Sequence, residues 1–376
     1  MSCSYPVLKV AHDIIMPIAV QGNCPGWMPD GTPNWPDWRW NDTTTFVAAA
    51  AAGPDDGTRL PVVAWHYYSY YGCHNASTTE SCTPGLPPAV EALVTPAFLD
   101  RTAERAGRYS RLQERAAPHA QTWLTATASG GLGGIPNVSN AFASTLWFLD
   151  SLGLVAKNRN SVFFRDGAKN TFCAVFKKRS ILQTSSGQTY VGKVEEEKVV
   201  LAEIFCGYDY FKSLFFKFSP YCIIEMNADG TIGKVNPDYF PGMLFKRLVG
   251  RAVLDATVIP GAAFEYERKL RAYAFCGRDG SSTTTILINL ADSDMNVTVA
   301  SGTAEQGRKI WLLTAGDELG LHSRHIRVNG RLMPDDGRAP TESELAGHEL
   351  PAADSTVVMP GMSAAFVVDA RAGPCV

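Results

Sequence analysis

No two cysteines in this 376-residue chain have the C-x-x-C spacing, which argues against zinc ribbons and thioredoxin-type redox motifs. Basic charge is lacking too. The formal net charge is -3, so no nucleic-acid partner is expected, because such a partner needs a basic surface. No uninterrupted apolar run reaches the roughly 18 residues that a membrane-spanning helix needs. The opening stretch MSCSYPVLKVAHDIIMPIAV holds one lysine and an apolar run broken by Asp13, a poor fit to a cleavable secretion leader. The stretch QTWLTATASGGLGG, residues 121 to 134, has the look of a strand running into a loop that passes close to a ligand. It contains no acid, no base and no nucleophile beyond plain hydroxyls.

What is present is ordinary for a globular protein: 45% hydrophobic and 19% charged residues, with 33 glycines and 23 prolines marking many turns. The length allows two units, or one large domain with a smaller one. Nine cysteines is an odd number. Four N-x-S/T sequons, at Asn41, Asn75, Asn137 and Asn296, lean toward a secreted glycoprotein.

Residues 1 to 60 are rich in Pro, Trp, Gly and Asp, with little periodicity, and read as a degraded N-terminal segment. LPVVAWHYYSYYG (60–72) reads as a strong strand entering a loop. A helix is expected over about 95–117, with Thr95 as N-cap and Pro96 at its first position. The strand QTWLT follows, then a second helix over 138–153, starting near Ser139 and ending at Gly153. DYFPGMLFKRLVG (238–250) reads as a further amphipathic helix. Strand, helix, strand, helix is the order of a parallel α/β sheet or barrel. From 251 to 376 the rhythm changes to short alternating strands, expected to form an antiparallel β-sandwich. Residues 166–235, inside the 61–250 unit, break this pattern with basic runs, an acidic triplet and crowded aromatics. They read as an insertion, a translated intron in preference to a regulatory insert, since so long a structureless loop is foreign to a compact domain.

Several segments carry a family likeness in a fixed order. They are AWHYYSYYG, TWLTATASGGLGG, VSNAFASTLWFLDSLGL, NPDYFPGMLFKRLVG, KLRAYAFCG, LHSRHIRVNGRLM and SAAFVVDARAGPCV. In this order the chain resembles heparanase-like glycoside hydrolases (family 79, with endo- and exo-β-glucuronidases), over roughly 53–165 and 236–376. The resemblance implies a (β/α)8 TIM-type barrel, here partial, followed by a C-terminal β-sandwich, with retaining hydrolysis of a glucuronide. Its secretory destination implies that the sequence begins after the family's own start.

Retaining hydrolysis needs two carboxyl groups about 5–5.5 Å apart, a nucleophile and an acid/base. In the family the nucleophile is a glutamate two residues after Trp-Leu or Trp-Val. Here Trp123 and Leu124 fit, Thr125 replaces a glycine, and the glutamate position is Ala126. A methyl group cannot form a glycosyl ester. The nearest acids in sequence, Glu114 and Asp150, fall on flanking helices. The family's acid/base lies in Asn-Glu-Pro, upstream of a Gly-Pro-Asp segment that GPDDG (53–57) matches. Upstream of it stands NWPDW (34–38), with Trp35 at the glutamate position. Asp37 there is either a displaced acid or, more plainly, part of a Trp/Pro-rich terminal segment.

His66 matches a cleft histidine of the family, against the plain alternative of a packed strand-end histidine. Tyr67 and Tyr68 offer a sugar-stacking face, one of them being expected in the core. Gly133 and Gly134 match a Gly-rich loop whose backbone N–H groups hold a uronate, although Leu132 replaces the family's tyrosine before them. The resemblance also implies a disulfide between Cys276 and Cys375. Lys177, Lys178 and Arg179 form a basic cluster that reads first as solvated charge and second as a sulfated-glycan contact. His322 and His325 lack an evident third ligand, so no metal is expected, and no cofactor is implied. Glu195, Glu196 and Glu197 read as solvated charge, and Glu265 and Glu267 precede a sandwich strand, far from a barrel mouth. The expected partner is a glucuronic-acid-containing polysaccharide or proteoglycan glycan, met in an extracellular, secretory or lysosomal setting, membrane-associated by family. Three readings remain: a glycoside hydrolase homologue inactive in this form, a carbohydrate-binding pseudoenzyme, and a purely structural β-sandwich with a vestigial barrel.

Overall fold

The computed structural model describes residues 18–21, 47–49, 51–52, 60–69, 90–130, 134–165, 172–175, 177–178, 222–227, 232–259, 268–299, 307–350, 356–370 and 375. The first sheet has five strands in the order β1 (Ile18–Gln21), β2 (Val62–Tyr68), β3 (Gln121–Ala128), β4 (Val162–Arg165) and β5 (Phe172–Val175). The first four are parallel, and β5 returns antiparallel to β4. Between β2 and β3 run α1 (Val90–Leu93) and α2 (Pro96–Ala116), and between β3 and β4 runs α3 (Phe142–Lys157). These are the crossovers that parallel strands require. Among the described residues this sheet is open and does not close into a barrel.

β6 (Lys177–Lys178) and the hairpin β7 (Ile224–Met226) and β8 (Ile232–Val235) precede α4 (Tyr239–Leu248), which passes directly into β9 (Val249–Leu254). There follow β10 (Leu270–Gly277), β11 (Thr283–Asn289), β12 (Met295–Thr298), β13 (Arg308–Ala315), β14 (Ile326–Val328), β15 (Arg331–Leu332), β16 (His348–Leu350), β17 (Thr356–Met359) and β18 (Ser363–Asp369). Eight strands form one path, β15-β14-β13-β18-β11-β10-β9-β6, with β16 added on β13. All pairs in it are antiparallel except β6 with β9. β12 and β17 pair into a ribbon. A small apolar core of Leu287, Met295, Val297, Ile310, Val357, Met359 and Val367 fills the space between ribbon and large sheet. This second layer covers one face of the nine-stranded sheet, as in a sandwich. Between β14 and β15 Asn329 and Gly330 both take positive φ, 49° and 77°, the geometry of a type I′ turn, which Asn-Gly favours.

The other face of the large sheet meets α3. Every residue of α3 from Phe142 to Ala156 is buried. A helix buried on all sides must be covered on all sides, and here the five-stranded sheet packs on one flank and β10 and β11 on another. The main core runs without a break from Trp65, Leu124 and Phe163 through Leu146, Trp147 and Phe148 to Phe275, Ile286 and Phe366. Full burial of each large apolar side chain contributes roughly 1.5–3 kcal/mol, so α3 is the main adhesive between the two sheets.

Three helix ends differ from the sequence expectation, each for a visible reason. Thr95 does not cap α2 with its side chain; its hydroxyl donates back to the Ala92 carbonyl at 3.0 Å, where α1 ends. Ser139 does not start α3, because its Oγ accepts the Ile135 N–H at 3.0 Å and closes the preceding loop. Gly153 does not end α3. It lies inside the helix because the Tyr273 ring packs there, and a Cβ would sit 2.1 Å from the ring. The helix instead ends at Asn158, whose amide donates to the Leu154 carbonyl at 2.8 Å. Asp238 precedes α4 but turns away from it and binds Arg165 at 2.7 Å, a pair with both side chains buried. The Arg165 guanidinium also lies over the Trp147 ring, 5.6 Å from its centre.

Cys276, near the end of β10, and Cys375 form a disulfide with Cα atoms 5.4 Å apart. The bond spans 99 residues of sequence and in the chain-entropy model stabilises by about 4.7 kcal/mol. Reduction under otherwise native conditions is expected to lower the denaturant midpoint, measured by fluorescence with and without reductant. Equal midpoints, or free alkylation of both thiols in unreduced protein, would contradict this.

Candidate functional site

The alternation of β2 sets its two faces. Val63, Trp65 and Tyr67 belong to the core beneath the helices, so His66 and Tyr68 project from the opposite face, where both are half-buried. Tyr67 is therefore the core member of the tyrosine pair and is not part of the sugar-facing surface expected for it. It is 7% exposed, and burial pushes its hydroxyl pKa up.

β3 reaches the same surface by an irregularity. Trp65 pairs with Leu124, but His66 pairs with Ala126, so one residue of β3, Thr125, is extra. Simple alternation from the buried Leu124 would place Ala126 back in the core. The bulge turns it to the face that carries His66, and bulges next to active sites commonly re-aim a side chain in this way. The Thr125 hydroxyl donates to the Trp65 carbonyl at 3.3 Å. Position 126 and His66 thus stand side by side on adjacent strands, near their C-terminal ends. Burial pushes the His66 pKa below the ordinary value of 6.5, which keeps the ring neutral near pH 7.

The same face carries Trp123 and Phe164, ring centres 6.4 Å apart. The Trp123 indole N–H donates to the Gln121 Oε1 at 2.8 Å. From the sequence Trp123 serves only to mark the position of residue 126; its place on the open face beside Phe164 depends on the β3–β4 register, for which the sequence holds no signal. The strand ends are fixed from below by α3. The Trp147 indole N–H donates to the Ser69 hydroxyl at 2.6 Å, and the Ser144 hydroxyl to that of Ser129 at 3.0 Å.

The glycine-rich loop leaves β3 at this end. Gly133 lies outside the described residues. Gly134 has φ 78°, which glycine adopts without strain. Gly130 packs so closely that a Cβ would meet Gly134 Cα at 2.9 Å.

The flanking acids do not reach this face. Glu114 is paired with Arg159 on the helix side, and Asp150 receives the Tyr273 hydroxyl at 2.6 Å between α3 and the large sheet. Burial pushes the Asp150 pKa up to about 6. Trp35, Asp37, the GPDDG segment, Arg179, Glu195, Glu196, Glu197, Glu265 and Glu267 lie outside the described residues, and Lys177 and Lys178 form β6. His322 and His325 have separate partners, Glu91 at 2.8 Å and Asp335 at 3.3 Å. Among the described residues no three potential ligands gather as a metal would need, and no helix is long and apolar enough to cross a membrane.

No family model matches the chain. The curated relatives it matches are heparanases and heparanase-like proteins. Heparanase of Gallus gallus is 25% identical over 331 residues, 85% of this chain and 49% of that protein. Inactive heparanase-2 of Homo sapiens is 23% identical over 284 residues, 72% of this chain and 38% of that protein. The chain therefore spans about half the length of the heparanase it matches, or less. Among solved structures, a family 51 α-L-arabinofuranosidase of Bifidobacterium longum superposes with a TM-score of 0.50 at 12% identity, covering 94% of this chain and 59% of that one. That likeness is one of fold alone.

Proposed function

We propose, from the premise that this chain is a heparanase-like glycoside hydrolase homologue, that it binds glucuronide-containing glycans and does not hydrolyse them. The five-stranded sheet is read as part of a (β/α)8 barrel and the large sheet with its ribbon as the companion sandwich, divided near residue 250. Barrels of this type place their chemistry at the C-terminal ends of the strands, where His66 and Ala126 meet.

One observation carries the reading. The bulge in β3 presents position 126 on the open face beside His66, an arrangement suited to a nucleophile, and the residue presented is alanine. Without a carboxylate there, the covalent glycosyl intermediate of a retaining glycosidase has no oxygen on which to form. Neutral His66 can still exchange hydrogen bonds with a sugar hydroxyl, and Trp123, Phe164 and Tyr68 offer apolar surface to a sugar ring. The backbone of the glycine loop is left to contact the uronate. An extracellular or secretory setting fits both this partner and the disulfide, since such bonds persist in oxidising compartments.

Isothermal titration with oligosaccharides cut from a glucuronic-acid polysaccharide tests the binding half. Saturable binding that weakens at least tenfold in the His66→Ala and Trp123→Ala variants is expected. Undetectable binding, or binding indifferent to both substitutions in folded variants, would overturn it.

A further inference from the structure

Two of the four sequons, at Asn137 and Asn296, lie among the described residues. Asn296 is on the outer face of β12. Asn137 is elsewhere, in the loop between β3 and α3. It is exposed and takes φ 59°, a left-handed conformation that asparagine tolerates better than most residues. Its backbone N–H donates to the Asn140 side chain at 2.7 Å. Its own carboxamide has no hydrogen-bond partner among the described residues. Asn137 is three residues from Gly134, at most about 10 Å of chain, and Gly134 packs on Gly130 at the end of β3.

We propose that Asn137 carries an N-linked glycan that stands over the C-terminal end of β3 and shields the face bearing His66, Tyr68 and Ala126. This rests on the secretory setting proposed above, to which the Cys276–Cys375 disulfide is an independent pointer. In the transfer step the Asn137 amide nitrogen attacks C1 of a lipid-linked oligosaccharyl pyrophosphate. The C1–oxygen bond breaks, the lipid pyrophosphate departs, and the displaced amide proton passes to a base of the transferase. The sequon hydroxyl, on Ser139, is buried and engaged with the Ile135 N–H in the folded loop, so transfer precedes closure of that loop. A glycan at this place would admit a chain end or a short glycan more readily than the middle of a long polymer.

The full chain, produced through the secretory pathway of insect cells, is digested with peptide N-glycosidase in heavy-oxygen water and mapped by mass spectrometry. Heavy aspartate at positions 137 and 296 is expected. Label at 296 without label at 137 overturns the site and leaves the secretory reading standing; label at neither overturns both. Hydroxyl-radical footprinting then compares native protein with Asn137→Gly, a substitution that keeps the positive φ, and with native protein deglycosylated after folding. At least twofold more oxidation of His66 and Tyr68 is expected in both glycan-free forms. Equal oxidation overturns the shielding.

Discussion

Purified protein given an aryl β-glucuronide is expected to release no more phenol than buffer alone. The expectation follows from position 126, which the bulge in β3 turns to the open face and which carries a methyl group. If position 126 is the nucleophile's place, as proposed, a methyl group there removes the covalent route itself, and the expected deficit is many orders of magnitude, not a modest fall in rate. Neighbouring acids do not make it good. Asp150 is held between α3 and the large sheet by Tyr273, and Glu114 is paired with Arg159 on the helix side. A continuous assay with a fluorogenic glucuronide checks this. Turnover above the buffer rate that is abolished by a glucuronidase inhibitor would contradict it.

The second large effect concerns Asp150. The group is fully buried; Tyr273 donates to its Oδ1 at 2.6 Å, and Arg271 Nε lies 3.9 Å away. Asp100 of α2 also faces it but is itself bound by Arg268 and Arg271. Burial wins over these partners and pushes the Asp150 pKa up from 3.8 to about 6. A carboxyl group that holds its proton more tightly when folded stabilises most below its unfolded pKa, and that contribution is lost as pH rises through about 6. A shift of this size corresponds to on the order of 3 kcal/mol across the window. Other groups titrate in the opposite sense, Asp100 among them, so the comparison must be with Asp150→Asn, which keeps the shape and cannot ionise. The native protein is expected to lose stability relative to Asp150→Asn between pH 4 and pH 7, read from denaturant midpoints. A pH-independent difference between the two proteins would show that Asp150 does not titrate in that window.

The sequence made some of this readable and hid the rest for identifiable reasons. The strands β10, β11, β13 and β18 lie where alternation and turn residues place them, whereas IRVNGRL reads as a single strand and is split by the turn at Asn329 and Gly330 into the hairpin of β14 and β15. α3 was recognisable as a helix, but its ends were not. Ser139 and Gly153 look like a cap and a stop, while in the fold one closes a loop and the other admits the Tyr273 ring. β9 was hidden because α4 runs into it with no turn residue between. At the site, the resemblance pointed to His66 and Ala126 separately. Their adjacency depends on an extra residue at Thr125, and a bulge leaves no mark in composition or period. Tyr67 and Tyr68 could not be told apart until the core fixed the face of β2.

We propose that position 126 occupies a nucleophile's place in a glucuronide-binding cleft. Intact-mass spectrometry of Ala126→Glu treated with a 2-fluoro glucuronide bearing an activated leaving group tests it most directly, because such a leaving group departs without help from a general acid. The variant is expected to gain the mass of one fluoroglucuronyl group, mapped to residue 126, while the native protein gains none. An unlabelled variant that is folded, or label of equal extent on the native chain, would contradict the account.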